Sequence, residues 1–335
     1  MDEPILVGDA GGTNIRFGIA RRRPDGSLEL DHFSKQRGAD FDNFDGALTS
    51  YLRSVSKRPR KAFFAVAGIV ENGQVEMTNR SWCVRSDDIK QRFNFDTVAL
   101  MNDFAAMARA VPVLGFEAFE VIYPGLPIGE APLLVAGAGT GLGVATLLPP
   151  NAACPHWAVI SGEGGHAAYA PRTDLEFALA KALKTEFGYV SNELVCSGQG
   201  MERLHRTLCR LYDKPFTVLP PQTVLDQAAE GDQICLDICQ IRARAIMQSA
   251  GDAVLLNGAW GGVVLAGGVT ERLMPYLLEE ASHLRFTDRG VKSKIMSRIP
   301  VYLMTQEKAS LYGAAALSFD AEDVQKSAFK CARVT

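Results

Sequence analysis

Twice in this chain an apolar run enters a glycine turn and leaves it as a second apolar run. Residues 4–8 (PILVG) and 14–20 (NIRFGIA) flank GDAGGTN at 8–14, and residues 132–136 (PLLVA) and 143–148 (GVATLL) flank GAGTGLG at 137–143. Turns this short between strand-like runs predict antiparallel hairpins. The same kind of hairpin in each half predicts two similar α/β halves, each turning a glycine loop toward a shared cleft. The length allows it, since the chain has 335 residues and single cores tend to split beyond about 250–300. Of 31 glycines, 17 fall in segments 8–12, 137–143, 162–165, 198–200 and 258–268. Glycine at that density marks tight turns or backbone that must approach a ligand closely.

The rest of the chain alternates between strand and helix patterns. Residues 27–34 extend the first hairpin into a meander. Phe41, Phe44, Leu48, Leu52 and Val55 recur at helical spacing. Residues 62–68 (AFFAVAG) read as a buried strand, and 97–101 (TVALM) as another that ends at Asn102-Asp103. A helix over 103–110 follows, with Asn102 or Asp103 as its cap. Further helices are predicted over 174–187, 198–212, 222–256 with one or more breaks, 271–284 and 307–319. Strands are predicted at 262–266, closed by Gly267-Gly268, and at 300–304. Such alternation argues for α/β architecture. On the residues alone Asp103 is open between a helix cap and a general base, because ligands of open α/β sheets bind where strands end.

Composition narrows the classes. A net charge of −3 leaves no electrostatic footprint for nucleic acid or an anionic membrane. The seven cysteines are odd in number, scattered, and form no C-x-x-C pair, which argues against a disulfide framework or a thiolate zinc site. Cys235 and Cys239 read as helix packing. The N-terminal MDEPILVGD has no basic region followed by an apolar stretch, so no signal peptide is expected. Residues 131–162 carry no Asp, Glu, Lys or Arg, a length that could span a bilayer. Gly137, Gly139, Gly141 and Gly143, then Pro149, Pro150 and Pro155, favour two buried strands around a turn instead.

Glycine turns after strands suggest phosphate binding, since bare amides can cradle anionic oxygens. Three familiar forms fail here. The G-x-G-x-x-G fingerprint places Leu142 where its last glycine belongs, no Gly-Lys dipeptide occurs, and neither Ser161 nor Ser197 sits in G-x-S-x-G. If these turns bind phosphate, they do so without an adjoining helix or lysine, which leaves a pair of hairpin loops closing on one nucleotide.

GDAGGTNIRFGIA, MNDFAA, GAGTGLG, SGEGGHAAYAP, VSNELVCSG and VVLAGGV occur in this order. Together they resemble the bacterial glucokinases of the hexokinase–actin superfamily, the kind common in proteobacteria, from about residue 4 to residue 318. The resemblance implies a two-domain actin-like, ribonuclease-H-like ATPase fold with an active-site cleft between the domains. The small α/β domain would be 1–105 plus 306–335, and the large one 106–305. It implies ATP-dependent phosphorylation of D-glucose to glucose 6-phosphate in the cytoplasm, by an enzyme that is often a homodimer.

The resemblance also assigns residues. Asp103 would be the general base that takes the proton of the 6-hydroxyl, with Asn102 bonding sugar hydroxyls. Glu163, His166 and Glu193 resemble the glucose-binding set, and Asn79 lies in a stretch the family also places at the sugar. Asp9, in the first turn, would orient hydrated Mg²⁺ on the β- and γ-phosphates. Gly11, Gly12, Thr13 and Asn14 would add donors to ATP. Gly139, Thr140 and Gly141 resemble the second phosphate loop, and Gly267 and Gly268 the adenosine-side turn.

The related ROK kinases and repressors usually carry a cysteine-rich zinc cluster after the GH motif. Residues 167–200 hold only Cys196, so no structural zinc is expected. Ile69 stands where the family often has proline, which bears on the sugar loop. A sugar-responsive repressor would need a helix-turn-helix ahead of a first strand that begins about four residues in. The nearer alternative is a kinase for mannose, fructose or an amino sugar.

Overall fold

Side chains alternate across the first strand, and that alternation decides how the first sheet is covered. In β1 (Ile5–Ala10), Ile5 and Val7 pack into one core while Leu6 packs into another. Strands β2 (Asn14–Arg22) and β3 (Leu28–Arg37) continue as an antiparallel meander. Helix α1 (Phe44–Leu52) leads to β4 (Lys61–Val66), parallel to β1. A small hairpin of β5 (Gln74–Glu76) and β6 (Cys83–Arg85), then α2 (Ser86–Phe93), precede β7 (Thr97–Asn102) and α3 (Asp103–Ala110). The sheet order is β3-β2-β1-β4-β7. Under α1, Phe17, Phe44, Tyr51 and Phe64 form an aromatic cluster, each ring fully buried at about 1.5–3 kcal/mol of transfer free energy. The other face is covered by the C-terminal helix (Ala309–Cys331) through Leu311, Ala315 and Phe319. That helix crosses α3 at Gly313, where any Cβ would collide with the Ala106 carbonyl.

The second sheet repeats the plan. Its strands are β8 (Phe119–Tyr123), β9 (Leu133–Ala138), β10 (Leu142–Leu148), β11 (Ala158–Gly162), β12 (Gly262–Leu265) and β13 (Val301–Met304). Their order is β11-β10-β9-β12-β13-β8, which is the first sheet's order with β8 added at an edge. Again the first two strands form an antiparallel hairpin and the next neighbour, β12, runs parallel to β9. The duplication read from the two glycine hairpins is therefore one of whole sheets. Residues 133–148 are the two buried strands around a turn, not a membrane span. Among the described residues no helix is long and apolar enough to cross a membrane.

Between β11 and β12 lie α4 (Asp174–Phe187), α5 (Asn192–Cys196), α6 (Gly200–Leu211), α7 (Pro221–Ala229) and α8 (Gln233–Asn257). Helix α8 is 25 residues long, opens on an Asp232 cap and closes at Gly258 in the left-handed region with φ 62°. It buries Cys235 and Cys239 in the second core. The helix predicted over 271–284 is three pieces, α9 (Gly268–Arg272), α10 (Met274–Leu277) and α11 (Glu280–Thr287), with Pro275 at the start of the second. A short α12 (Ser293–Met296) follows.

This computed structural model describes residues 3–77, 80–152 and 154–331, without the side chains of 322 and 324–331. By internal contacts the chain forms two units, Met1–Ala118 with Pro149–Ser161 and Gln306–Thr335, and Phe119–Leu148 with Gly162–Thr305. Helix α3 runs across the 105/106 division drawn from the sequence.

Candidate active site

In the first unit the parallel strands β1, β4 and β7 end side by side at Ala10, Val66 and Asn102. Asp9 belongs to β1 itself rather than to the glycine turn where the sequence reading put it, and is 6% exposed. Strand register sets Arg16 of β2 opposite, and the two form an ion pair of 3.0 Å. Burial pushes the Asp9 carboxyl above its ordinary pKa, against the pull of Arg16 and of a hydrogen bond with the Ser310 side chain. The turn that follows is closed by the Gly11 amide donating to the Asn14 carbonyl at 3.1 Å. Two of its carbonyls are occupied: Gly12 accepts from Arg80 Nε at 2.9 Å and Thr13 from the Gly38 amide at 2.9 Å. The amides of Gly12 and Thr13 donate to no protein group among the described residues.

At the end of β7 the helix cap is set locally. Asn102 is the cap: its Oδ1 accepts from the Ala105 amide at 3.0 Å, and its Nδ2 donates to the Gly68 carbonyl at 3.2 Å. One donor and one lone pair of that amide remain for a ligand. Asp103 is the first residue of α3, half-buried, and its Oδ1 accepts from the Phe104 amide at 2.9 Å. Ile69 is 69% exposed beside Gly68. Asn79 lies outside the described residues.

In the second unit the turn 139–141 joins β9 to β10, and Gly267-Gly268 follows β12, the neighbour of β9. The structure brings the two turns together. Thr270 of α9 accepts from the Ala138 amide at 2.7 Å, and Gly267 takes φ 96° against the Ala138 carbonyl. The amides of Thr140 and Gly141, like those of the first turn, have no protein acceptor among the described residues. Each turn thus leaves two successive amides without a protein acceptor, the kind of donor that anionic oxygens take.

Glu193 lies between this turn and His166. Helix α5 is capped by Ser191, whose Oγ accepts from the Leu194 amide at 3.1 Å, and this sets Glu193 in the first turn. Its Oε2 accepts from the Leu142 amide at 2.8 Å, and its Oε1 lies 3.8 Å from His166 Nε2. His166 closes the short 3-10 turn Gly164–His166, whose amide returns to the Glu163 carbonyl at 3.0 Å. Tyr189 Oη donates to the His166 carbonyl at 2.9 Å. Glu163 and His166 are exposed and Glu193 is partly so.

A family model described as Glucokinase matches residues 6–321. A curated glucokinase of Stenotrophomonas maltophilia is 33% identical over 327 residues, 96% of each chain. The chain belongs to the glucokinase family. It is accordingly an ATP-dependent hexose kinase that phosphorylates glucose. The crystal structure of a glucokinase from an Antarctic psychrotroph is 34% identical, with a TM-score of 0.80 over 95% of this chain and 99% of that one. A ROK family glucokinase from Streptomyces griseus, solved with glucose and AMPPNP, is 18% identical with a TM-score of 0.64 over 94% of this chain and 98% of that one. That likeness shows the shared actin-like fold.

The residues missed from the sequence are those that act on the turns from a distance. Arg80 adjoins the quoted Asn79, yet no local signal announced its bond to Gly12 or its stacking on Trp82, 4.8 Å from the ring centre. The Asp9–Arg16 pair was legible in principle, since a two-strand hairpin with a four-residue loop at 11–14 sets those positions opposite.

Proposed function

We propose that Asp103 is the general base of phosphoryl transfer from ATP to the 6-hydroxyl of glucose. Asp103 takes the hydroxyl proton as that oxygen bonds to the γ-phosphorus. The bond from γ-phosphorus to the bridging oxygen breaks, and ADP leaves with that electron pair. The observation that supports the reading is that Asp103 stands just past the end of the parallel strand β7, where open α/β sheets bind ligands, with Asn102 serving as the cap of α3. Asn102, Glu163, His166 and Glu193 bond the sugar hydroxyls. Asn79 is retained in that set on the family resemblance alone. Carboxylate acceptors discriminate strongly against sugars that lack the matching hydroxyl.

The bare amides of Gly12, Thr13, Thr140 and Gly141 hold phosphate oxygens, with Gly11, Asn14 and Gly139 shaping the loops. Gly268, around which a Cβ would meet open space, leaves room for the nucleoside. Asp9 fits a role toward Mg²⁺: a single buried carboxylate paired with Arg16 suits water-mediated contact with an ion carried in on the phosphates, not a protein-built cage. Bound there, magnesium neutralises phosphate charge. The chain is read as free of structural zinc because residues 167–200 hold a single cysteine, Cys196, too few for a thiolate zinc site. The reading extends to a cytoplasmic homodimer without nucleic-acid or membrane partners. The net charge of −3 supports the absence of such partners, and sedimentation of the intact chain at a monomer mass would refute the dimer.

Asp103→Asn tests the base. Asn keeps an oxygen for the Phe104 amide, so the fold and glucose affinity should persist while kcat falls about 10²–10⁴-fold. Near-normal kcat removes Asp103 from the role.

A further inference from the structure

Arg242 lies in the middle of α8, 5% exposed, among apolar residues of the second core. Among the described residues no carboxylate pairs with it. Its three hydrogen bonds go to main-chain carbonyls: Nε and Nη2 donate to Cys196 at 3.3 and 3.2 Å, and Nη2 donates to Ser197 at 3.0 Å. Burying a guanidinium is expensive, and an apolar side chain of like volume is often as stable or more so in such a place. Stability therefore gives little reason for arginine here.

The carbonyls it holds do give one. Helix α5 is five residues long, too short to hold its own ends by helix cooperativity. Its C-terminal turn is gripped by Arg242. The next residue, Gly198, donates its amide to the Gly139 carbonyl at 2.8 Å, and one turn earlier Glu193 accepts from Leu142 at 2.8 Å. The turn 139–142 is thus held at both ends by one short helix, and that helix is braced from behind by one buried fork of donors.

We propose that Arg242 is a positioning residue that fixes the second phosphate loop through α5. The proposal rests on the reading of turn 137–143 as that loop. Without the brace, Ser197-Gly198 relaxes away from Gly139, and the bare amides of Thr140 and Gly141 lose their placement. Glu193, at the other end of α5, keeps its Ser191 cap and its bond to Leu142.

The test compares Arg242→Met, which keeps volume and removes the fork, with Arg242→Lys, which keeps the charge on a single donor centre. Gly198→Ala is an independent perturbation, since its Cβ would press on the Gly139 carbonyl at 3.0 Å. Calorimetry with glucose alone and with the magnesium complex of a non-hydrolysable ATP analogue is set beside kcat and Tm. Arg242→Met should fold, lose about 10-fold or more in kcat and weaken the analogue by about 5-fold or more, with glucose affinity within about twofold of the parent. Arg242→Lys should fall between, and Gly198→Ala should shift the same quantities less. A change in Tm with unaltered kcat and analogue affinity makes Arg242 purely structural and overturns the proposal. Weakened glucose with unaltered analogue binding shows instead that turn 137–143 does not hold phosphate, which overturns the underlying reading. If Arg242→Met does not fold, Gly198→Ala and Arg242→Lys decide by the same criteria.

Discussion

On the proposed reading Glu193 has two separable duties, bracing a turn and binding sugar, and substitution can divide them. Its Oε2 is the acceptor for the Leu142 amide at 2.8 Å, in a residue only 4% exposed. Glu193→Ala strands that amide, so stability should fall by about 1.5–3 kcal/mol, the range for a bond to a charged acceptor. Its Oε1, 3.8 Å from His166 Nε2, faces the proposed sugar ligands. Losing one hydroxyl-to-carboxylate bond of the same range should lower kcat/KM for glucose about 10- to 150-fold. Glu193→Gln separates the two. Its amide oxygen can still serve Leu142, so most stability returns. Its NH₂ then replaces an acceptor with a donor beside His166, so kcat/KM stays low. Urea midpoints and initial rates of glucose 6-phosphate formation read the two effects. If Glu193→Ala keeps parental kcat/KM, or if Glu193→Gln restores both quantities, Glu193 is not a sugar ligand and only braces the turn.

The glycines of the second turn make a paired prediction. A Cβ at Gly137 would fall on the Ala266 carbonyl, whereas one at Gly139 meets open space. Gly137→Ala should therefore fold poorly, while Gly139→Ala should keep Tm and raise KM for ATP; unchanged nucleotide KM in a folded Gly139→Ala would move the phosphates elsewhere. His205 predicts a pH dependence of stability. It is buried edge-on to Phe216 at 5.3 Å, and burial lowers its pKa from 6.5 against the opposing pull of Asp232. As pH falls below 6.5 the unfolded chain takes the proton first, so stability should drop until the lowered folded pKa is passed, by at most about 1.4 kcal/mol per pH unit. Urea midpoints of His205→Gln between pH 5 and 6.5 should show a flatter slope; an unaltered slope would assign the dependence to another group.

Local pattern carried much of the fold because it depends on neighbours in the chain. The meander 4–34, the strand ending at Asn102 and the helix over 174–187 were legible from period and turn chemistry, and α4 occupies Asp174–Phe187 as drawn. The alternation of strand and helix was enough for α/β architecture. Apolar period failed where elements were short or weakly patterned. Strands β8 and β11 have half or more of their residues unburied, α2 buries only Ile89, and the 271–284 run breaks into three pieces.

The six ordered motifs named the family and nominated Asp9, Asn102, Asp103, Glu163, His166 and Glu193, since motif order needs no coordinates. What those residues touch was another matter. Asn102 caps α3 through the nearby Ala105 amide, but its second bond goes to the Gly68 carbonyl, 34 residues away. The tie between Glu193 and the second glycine turn is a bond across 51 residues, and the brace on the first turn spans 68. The glycine turns show the division most clearly. The sequence by itself determined that two hairpins of matching kind exist, because two apolar runs joined by a short glycine loop pair most readily with each other. Tertiary structure alone decided which glycines serve the chain's own packing, as Gly137 does against Ala266, and which leave space for a ligand, as Gly139 and Gly268 do. A missing Cβ means nothing until the folded chain brings, or fails to bring, a distant atom against it.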